Sequence, residues 1–118
     1  AGNASIIVPG QKTSLLATEL YQLLETSDVP AGYINILTTK QNSLNKILAE
    51  HENIDGIWYF SDNNNERLKV IQSTTSNLKR NWCPQSKNLD WSSKEEDFLQ
   101  EFLYQSTQVK NIWIPYGE

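Results

Sequence analysis

The stretch "GIWYFSDNNNERL", residues 56–68, decides how this chain is read. It opens with a continuous β-branched and aromatic run, as a strand buried on both faces does. It then breaks into four polar residues, Asp62, Asn63, Asn64 and Asn65, before Leu68 and Ile71 mark a helix. In a layered α/β protein, the loop between a strand and its helix is where a phosphate is commonly cradled. Either this loop binds a nucleotide, or it keeps the shape and has lost the ligand.

Runs of the same kind lie on both sides of it. Residues 5–8, 33–37 and 112–114 are short, apolar and rich in β-branched and aromatic side chains, so each is predicted to be a buried strand. Between the strands, apolar residues fall at helical spacing. Leu16, Leu20, Leu23 and Leu24 form one stripe, with Thr13 or Ser14 as N-cap. Ser43 caps a second helix bearing Leu44, Ile47 and Leu48. A fourth bears Phe98, Leu99, Phe102 and Leu103, behind two overlapping capping boxes in Ser92-Ser93-Lys94-Glu95-Glu96. Val29-Pro30-Ala31-Gly32 is a turn that stops the first helix. Residues 77–82 are a candidate short strand, and residues 84–90 a surface connection. The order β-α-β-α-β-α-(β)-α-β predicts right-handed crossovers and an α/β, three-layer, Rossmann-like sandwich with a mainly parallel sheet.

Composition narrows the function. With 118 residues the chain is expected to be a single domain with a modest core. A net charge of −4 and the lack of a basic stripe argue against nucleic acid as a partner. No apolar run approaches the ~20 residues of a membrane span. The one cysteine, Cys83, has no internal disulfide partner, which fits a cytoplasmic location. The chain contains no methionine and is read as a piece of a longer polypeptide. Asn3-Ala4-Ser5 is formally a glycosylation sequon beside a core strand, and is read as unused.

Four segments resemble the nucleotide-binding domain of the aldehyde dehydrogenase superfamily. "AGNASIIVPGQKTSLLATEL" (1–20) is similar to that family's Gly-Asn-Thr-Val-Val-x-Lys-Pro-Ser-Glu and the helix after it. "DVPAGYINILTT" (28–39) is similar to its Leu-Pro-Pro-Gly-Val-Val-Asn-Val turn and strand. "LAEHENIDGIWYFS" (48–61) is similar to its Leu-x-x-His-Pro-x-Val-x-x-Ile-x-Phe-Thr-Gly, and "SNLKR" (76–80) also matches. The ending "NIWIPYGE" (111–118) resembles the C-terminal end of family-sixteen aldehyde dehydrogenases, which carry a second, degenerate pseudo-enzyme domain.

The departures matter as much as the matches. The resemblance implies a ribose-binding lysine where this chain has Val8, and a ribose-region glutamate where it has Gln11. It implies a pyrophosphate loop with two glycines, replaced here by Asp62 and Arg67, with Asn63 between them. A pyrophosphate needs bare backbone N–H groups at close approach. Asp62 instead places a carboxylate there and is expected to cap the third helix itself. The family's general-base glutamate has no counterpart in residues 81–87, and the nucleophilic-cysteine domain that the resemblance implies next is expected to be absent. Arg67 remains a possible phosphate contact from the helix side.

The other candidates have simpler readings. A Cys83–His51 nucleophile pair competes with a solvated or capping His51, and one Cys with one His falls short of a metal site. Glu95, Glu96 and Asp97 suit a first helical turn. Trp58 and Trp113 read as core, whereas Trp82 and Trp91 flank the polar connection and are candidate interaction residues.

The expectation is therefore a domain that is not itself an enzyme, with no catalytic residue, cofactor or metal. Its role would be structural or in protein interaction, its partners other domains or subunits of a parent protein or a second copy. Two alternatives stay open: part of an NAD-dependent aldehyde dehydrogenase whose chemistry lies in another domain, or a weak nucleotide-binding module for NAD.

Overall fold

The computed structural model describes residues 2–39 and 41–115 and, for residues 41 and 42, the backbone alone. It divides into two compact units, Ala4–Asp90 and a smaller one made of Ala1–Asn3 with Trp91–Glu118.

The larger unit is α/β with short parallel sheets. Strand β1 (Ser5–Ile7) pairs in parallel with β2 (Ile34–Ile36), Ser5 opposite Ile34 and Ile7 opposite Ile36. Strand β3 (Gly56–Trp58) pairs in parallel with β4 (Arg80–Trp82), Gly56 opposite Arg80 and Trp58 opposite Trp82. Among the described residues these are two separate two-stranded sheets. Each parallel pair is joined through a helix, as parallel strands require. Helix α1 (Ser14–Glu25) joins β1 to β2, α2 (Gln41–Glu50) leads from β2 to β3, and α3 (Asn64–Thr74) joins β3 to β4. The turn ahead of β2 depends on Gly32, whose φ of 88° suits a residue without Cβ. Asn35 Nδ2 donates to the Gly32 carbonyl at 2.8 Å and fixes that turn.

The core lies where α2 and α3 cover the β3–β4 pair. Ala49 from α2, Val70 from α3, Tyr59 and Cys83 are buried together, with Ile57 and Ile71 packed against them. Lys79 fastens this arrangement. Its buried ammonium donates to the Leu48 carbonyl at 2.8 Å and the His51 carbonyl at 2.7 Å, at the C-terminal end of α2. A helix C-terminus has unpaired carbonyls and a partial negative charge, so a cation is at home there. Burial still pushes the Lys79 pKa down, and the Asp55 carboxylate opposes that shift.

The smaller unit holds helix α4 (Glu96–Ser106). Trp91 meets Phe102 edge-on at 6.1 Å, and Phe98 tilts against Phe102 at 5.0 Å. Asn3 Nδ2 donates to the carbonyl of Ser106 at 2.6 Å. The anticipated capping boxes do not form: the N-cap of α4 is Glu95, which makes no side-chain cap bond, and Ser93 Oγ accepts from the Glu95 N–H in a turn ahead of the helix.

Three expectations are corrected. Residues 112–114 form no strand, and Trp113 is 92 % exposed rather than core. A strand needs a neighbour for its N–H and C=O groups, and none is paired with this segment among the described residues. In α1 the inward positions are Ala17, Leu20 and Leu24, whereas Leu16 and Leu23 face solvent. Trp58 is partly exposed, with its edge toward Trp82 and Phe60. Among the described residues no helix is long and apolar enough to cross a membrane.

Leu78 is the one non-glycine residue with positive φ among those described (φ 54°, ψ 29°), and it is 92 % exposed. A left-handed backbone costs a leucine about 1–2 kcal/mol, which asparagine largely escapes. Leu78→Asn is therefore expected to stabilise the chain by about 1 kcal/mol in urea unfolding. An unchanged or lower midpoint would show that the leucine side chain has a packing role.

Candidate functional site

The candidate site is the loop between β3 and α3. Helix α3 starts at Asn64 because Asn63 holds an extended backbone and turns its side chain onto the helix. Asn63 Oδ1 accepts from the N–H groups of Asn65 at 3.0 Å and Glu66 at 3.4 Å. Its carbonyl accepts the first helical bond, from the Arg67 N–H at 3.1 Å. The loop is braced further by Ser61, whose Oγ accepts from the Asn63 N–H at 3.2 Å.

The expected helix cap, Asp62, does something else. Its carboxylate accepts from the Lys87 N–H at 3.0 Å, in the 3₁₀ turn Ser86–Asn88. Asn63 lies one residue nearer the helix, in reach of the second and third helical N–H groups that an N-cap serves, and it wins the role. Arg67 is drawn inward. Its Nε donates to the Cys83 carbonyl at 2.8 Å and its Nη1 to Asn64 Oδ1 at 2.9 Å.

Sequence reading missed Glu66. Its carboxylate accepts from the Tyr59 hydroxyl at 3.1 Å and the Ser61 hydroxyl at 3.4 Å. Burial first, and then the nearby Glu66 carboxylate, raise the Tyr59 pKa. The signal was present as Asn63-x-x-Glu66, the spacing of a capping box. The Lys79 contacts left no such signal, because they join residues 28 and 31 positions apart.

The fold gathers Asp62, Asn63 and Arg67 around the start of α3. Val8 lies half-buried just after β1, and Gln11 is exposed in the 3₁₀ turn Gln11–Thr13. Trp82 is half-buried in β4, edge-on to Trp58 at 5.1 Å and to Phe60 at 5.4 Å. Trp91 is 56 % exposed, in the smaller unit.

Cys83 is buried, and burial pushes its thiol pKa up, partly offset by the Arg67 charge. That is the reverse of what a thiolate nucleophile needs. His51 is exposed, and its Nδ1 accepts from the Asn53 N–H at 3.2 Å, a local turn. Among the described residues no group of three or more His, Cys, Asp or Glu is placed to hold a metal ion.

The model of the Aldehyde dehydrogenase family matches residues 1–82. The chain is 29 % identical over 82 residues to the NADP/NAD-dependent aldehyde dehydrogenase PuuC of Escherichia coli (strain K12). That alignment covers 70 % of this chain and 17 % of the relative, so the chain spans a small part of the relative's length. No solved structure matches at a significant level. These matches correct the expectation that the chain is not an enzyme: what it resembles is an enzyme family, of which it carries a fragment short of a full catalytic domain.

Two measurements check the site. Asn63→Ala removes the acceptor for two helix N–H groups and is expected to lower stability by about 1 kcal/mol in urea unfolding. The raised Cys83 pKa gives a pH dependence. The folded chain disfavours the thiolate, so the stability is complete below the ordinary thiol range of about 8.5 and is lost as pH rises through it. Between pH 8 and 10, wild type is expected to lose stability relative to Cys83→Ala, read from urea midpoints at each pH.

Proposed function

This chain belongs to the aldehyde dehydrogenase family, and from that premise we propose that it is a structural part of an NAD-dependent aldehyde dehydrogenase whose chemistry lies in another domain. The ending at residues 111–118 supports a narrower assignment, to the degenerate C-terminal domain of family-sixteen members. In that setting the two parallel pairs are pieces of a truncated Rossmann-like three-layer domain within a longer polypeptide.

One observation carries the reading. The N–H groups at the start of α3, which a dinucleotide pyrophosphate would need, are taken by the side chain of Asn63. The other residues point the same way. Asp62 adds negative charge beside them, Val8 offers no ammonium and Gln11 no carboxylate. Arg67 already has two partners within the chain. On this reading the loop does not fit NAD, and no step of the reaction passes through it.

The contribution is then a surface for the rest of the protein. Leu15 and Leu23 of α1 are exposed, and so are Val109, Ile112 and Ile114 near the end of the chain. Exposed apolar side chains of this kind are candidate contact residues, in each unit taken by itself. Trp82 and Trp91 join them as interaction residues, toward other domains, other subunits or a second copy.

A thermal melt with NAD tests the reading. A ligand at 100 times its Kd stabilises by about 2.7 kcal/mol, which displaces the midpoint of a small domain by about ten degrees. No displacement is expected with several millimolar NAD. A concentration-dependent rise would overturn the proposal in favour of a nucleotide-binding module.

A further inference from the structure

The family match ends at residue 82, and the segment that follows it is tied back onto the β3–α3 loop. Three contacts do this. Arg67 Nε reaches the Cys83 carbonyl at 2.8 Å, Gln85 Nε2 reaches Asn64 Oδ1 at 3.3 Å, and the Lys87 N–H reaches Asp62 Oδ1 at 3.0 Å. The segment also has its own turn, with the Asn88 N–H on the Gln85 carbonyl and the Leu89 N–H on the Ser86 carbonyl. Lys87 is the second residue of that turn, so its N–H is one that no internal carbonyl serves. The Asp62 carboxylate, 25 positions earlier in the chain, serves it instead.

We propose that residues 83–88 form a strap across the start of α3 and that Asp62 is its latch. The carboxylate makes a charged contact to the far end of the strap, as the Arg67 guanidinium does to its root at the Cys83 carbonyl, and hydrogen bonds to charged groups are the stronger kind. Gln85 and Arg67 hold the strap at two further points. With the Asp62 and Asn64 contacts exposed and the Arg67 contact part-buried at the root, the strap opens locally from its far end while the helices behind it stay folded. Asp62 thus keeps in place a piece of chain lying beyond the family-matched region. The proposal builds on the reading that the loop holds no dinucleotide, but its test uses no nucleotide, so the two fail separately.

Cys83 provides the test. It is the only cysteine in the chain, it is 9 % exposed, and it sits at the root of the strap. Its alkylation by excess iodoacetamide under native conditions reports opening. Asp62→Ala is expected to label about tenfold faster than wild type, with Asp62→Asn, which keeps an acceptor oxygen, in between. Gln85→Ala should accelerate labelling less. Urea unfolding of each variant measures global stability in parallel. Equal rates in wild type and Asp62→Ala would overturn the latch. So would an acceleration no larger than the loss of global stability explains.

Discussion

An α-helix begins with N–H groups that have no acceptor inside the helix, and whatever supplies one decides what the start of that helix can do. At α3 the supplier is Asn63. Because the asparagine oxygen takes the N–H groups of Asn65 and Glu66, no external anion is needed to complete the turn. Its neighbours are then used elsewhere. Asp62 turns to the Lys87 N–H, Arg67 to the Cys83 carbonyl, and Glu66 to the Tyr59 and Ser61 hydroxyls. A loop of the kind that elsewhere cradles phosphate is here a junction between β3, α3 and the segment after β4.

The other end of the same layer is closed by Lys79. Its ammonium sits against the last carbonyls of α2, next to the chain leading into β4. Desolvation disfavours the charge and lowers the Lys79 pKa against the pull of the Asp55 carboxylate, while two short hydrogen bonds to carbonyls at the negative end of a helix give the ammonium partners. Between these two polar anchors lies the small core of Ala49, Tyr59, Val70 and Cys83. The β1–β2 pair and α1 have no comparable cluster, and α1 exposes leucines on its outer side.

Much of the fold was legible in the amino-acid pattern. The three short apolar runs before residue 83 contain β1, β2 and β3, the candidate strand at 77–82 contains β4, and each helix formed around the apolar residues that marked it, although α2 begins at Gln41, two residues before the expected cap Ser43. Local chemistry explains this. A three-residue strand or a three-turn helix announces itself through side chains two, three or four positions apart. The family resemblance was equally legible, because its motifs are local and occur in order along residues 1–80.

What the sequence determined by itself was therefore the order of elements as far as α4, the parallel α/β class and membership of an enzyme family. Tertiary structure alone decided which polar side chain meets which backbone group. Asp62 and Asn63 are both good caps by type, and a single residue of offset assigned one to the helix and the other to a turn 25 positions away. Likewise residues 112–114 have the composition of a strand yet form none, since a strand exists only where a neighbour accepts its hydrogen bonds. Preferences of that local kind are written along the chain; the choice among equal partners is made by distance, which exists only once the chain has folded.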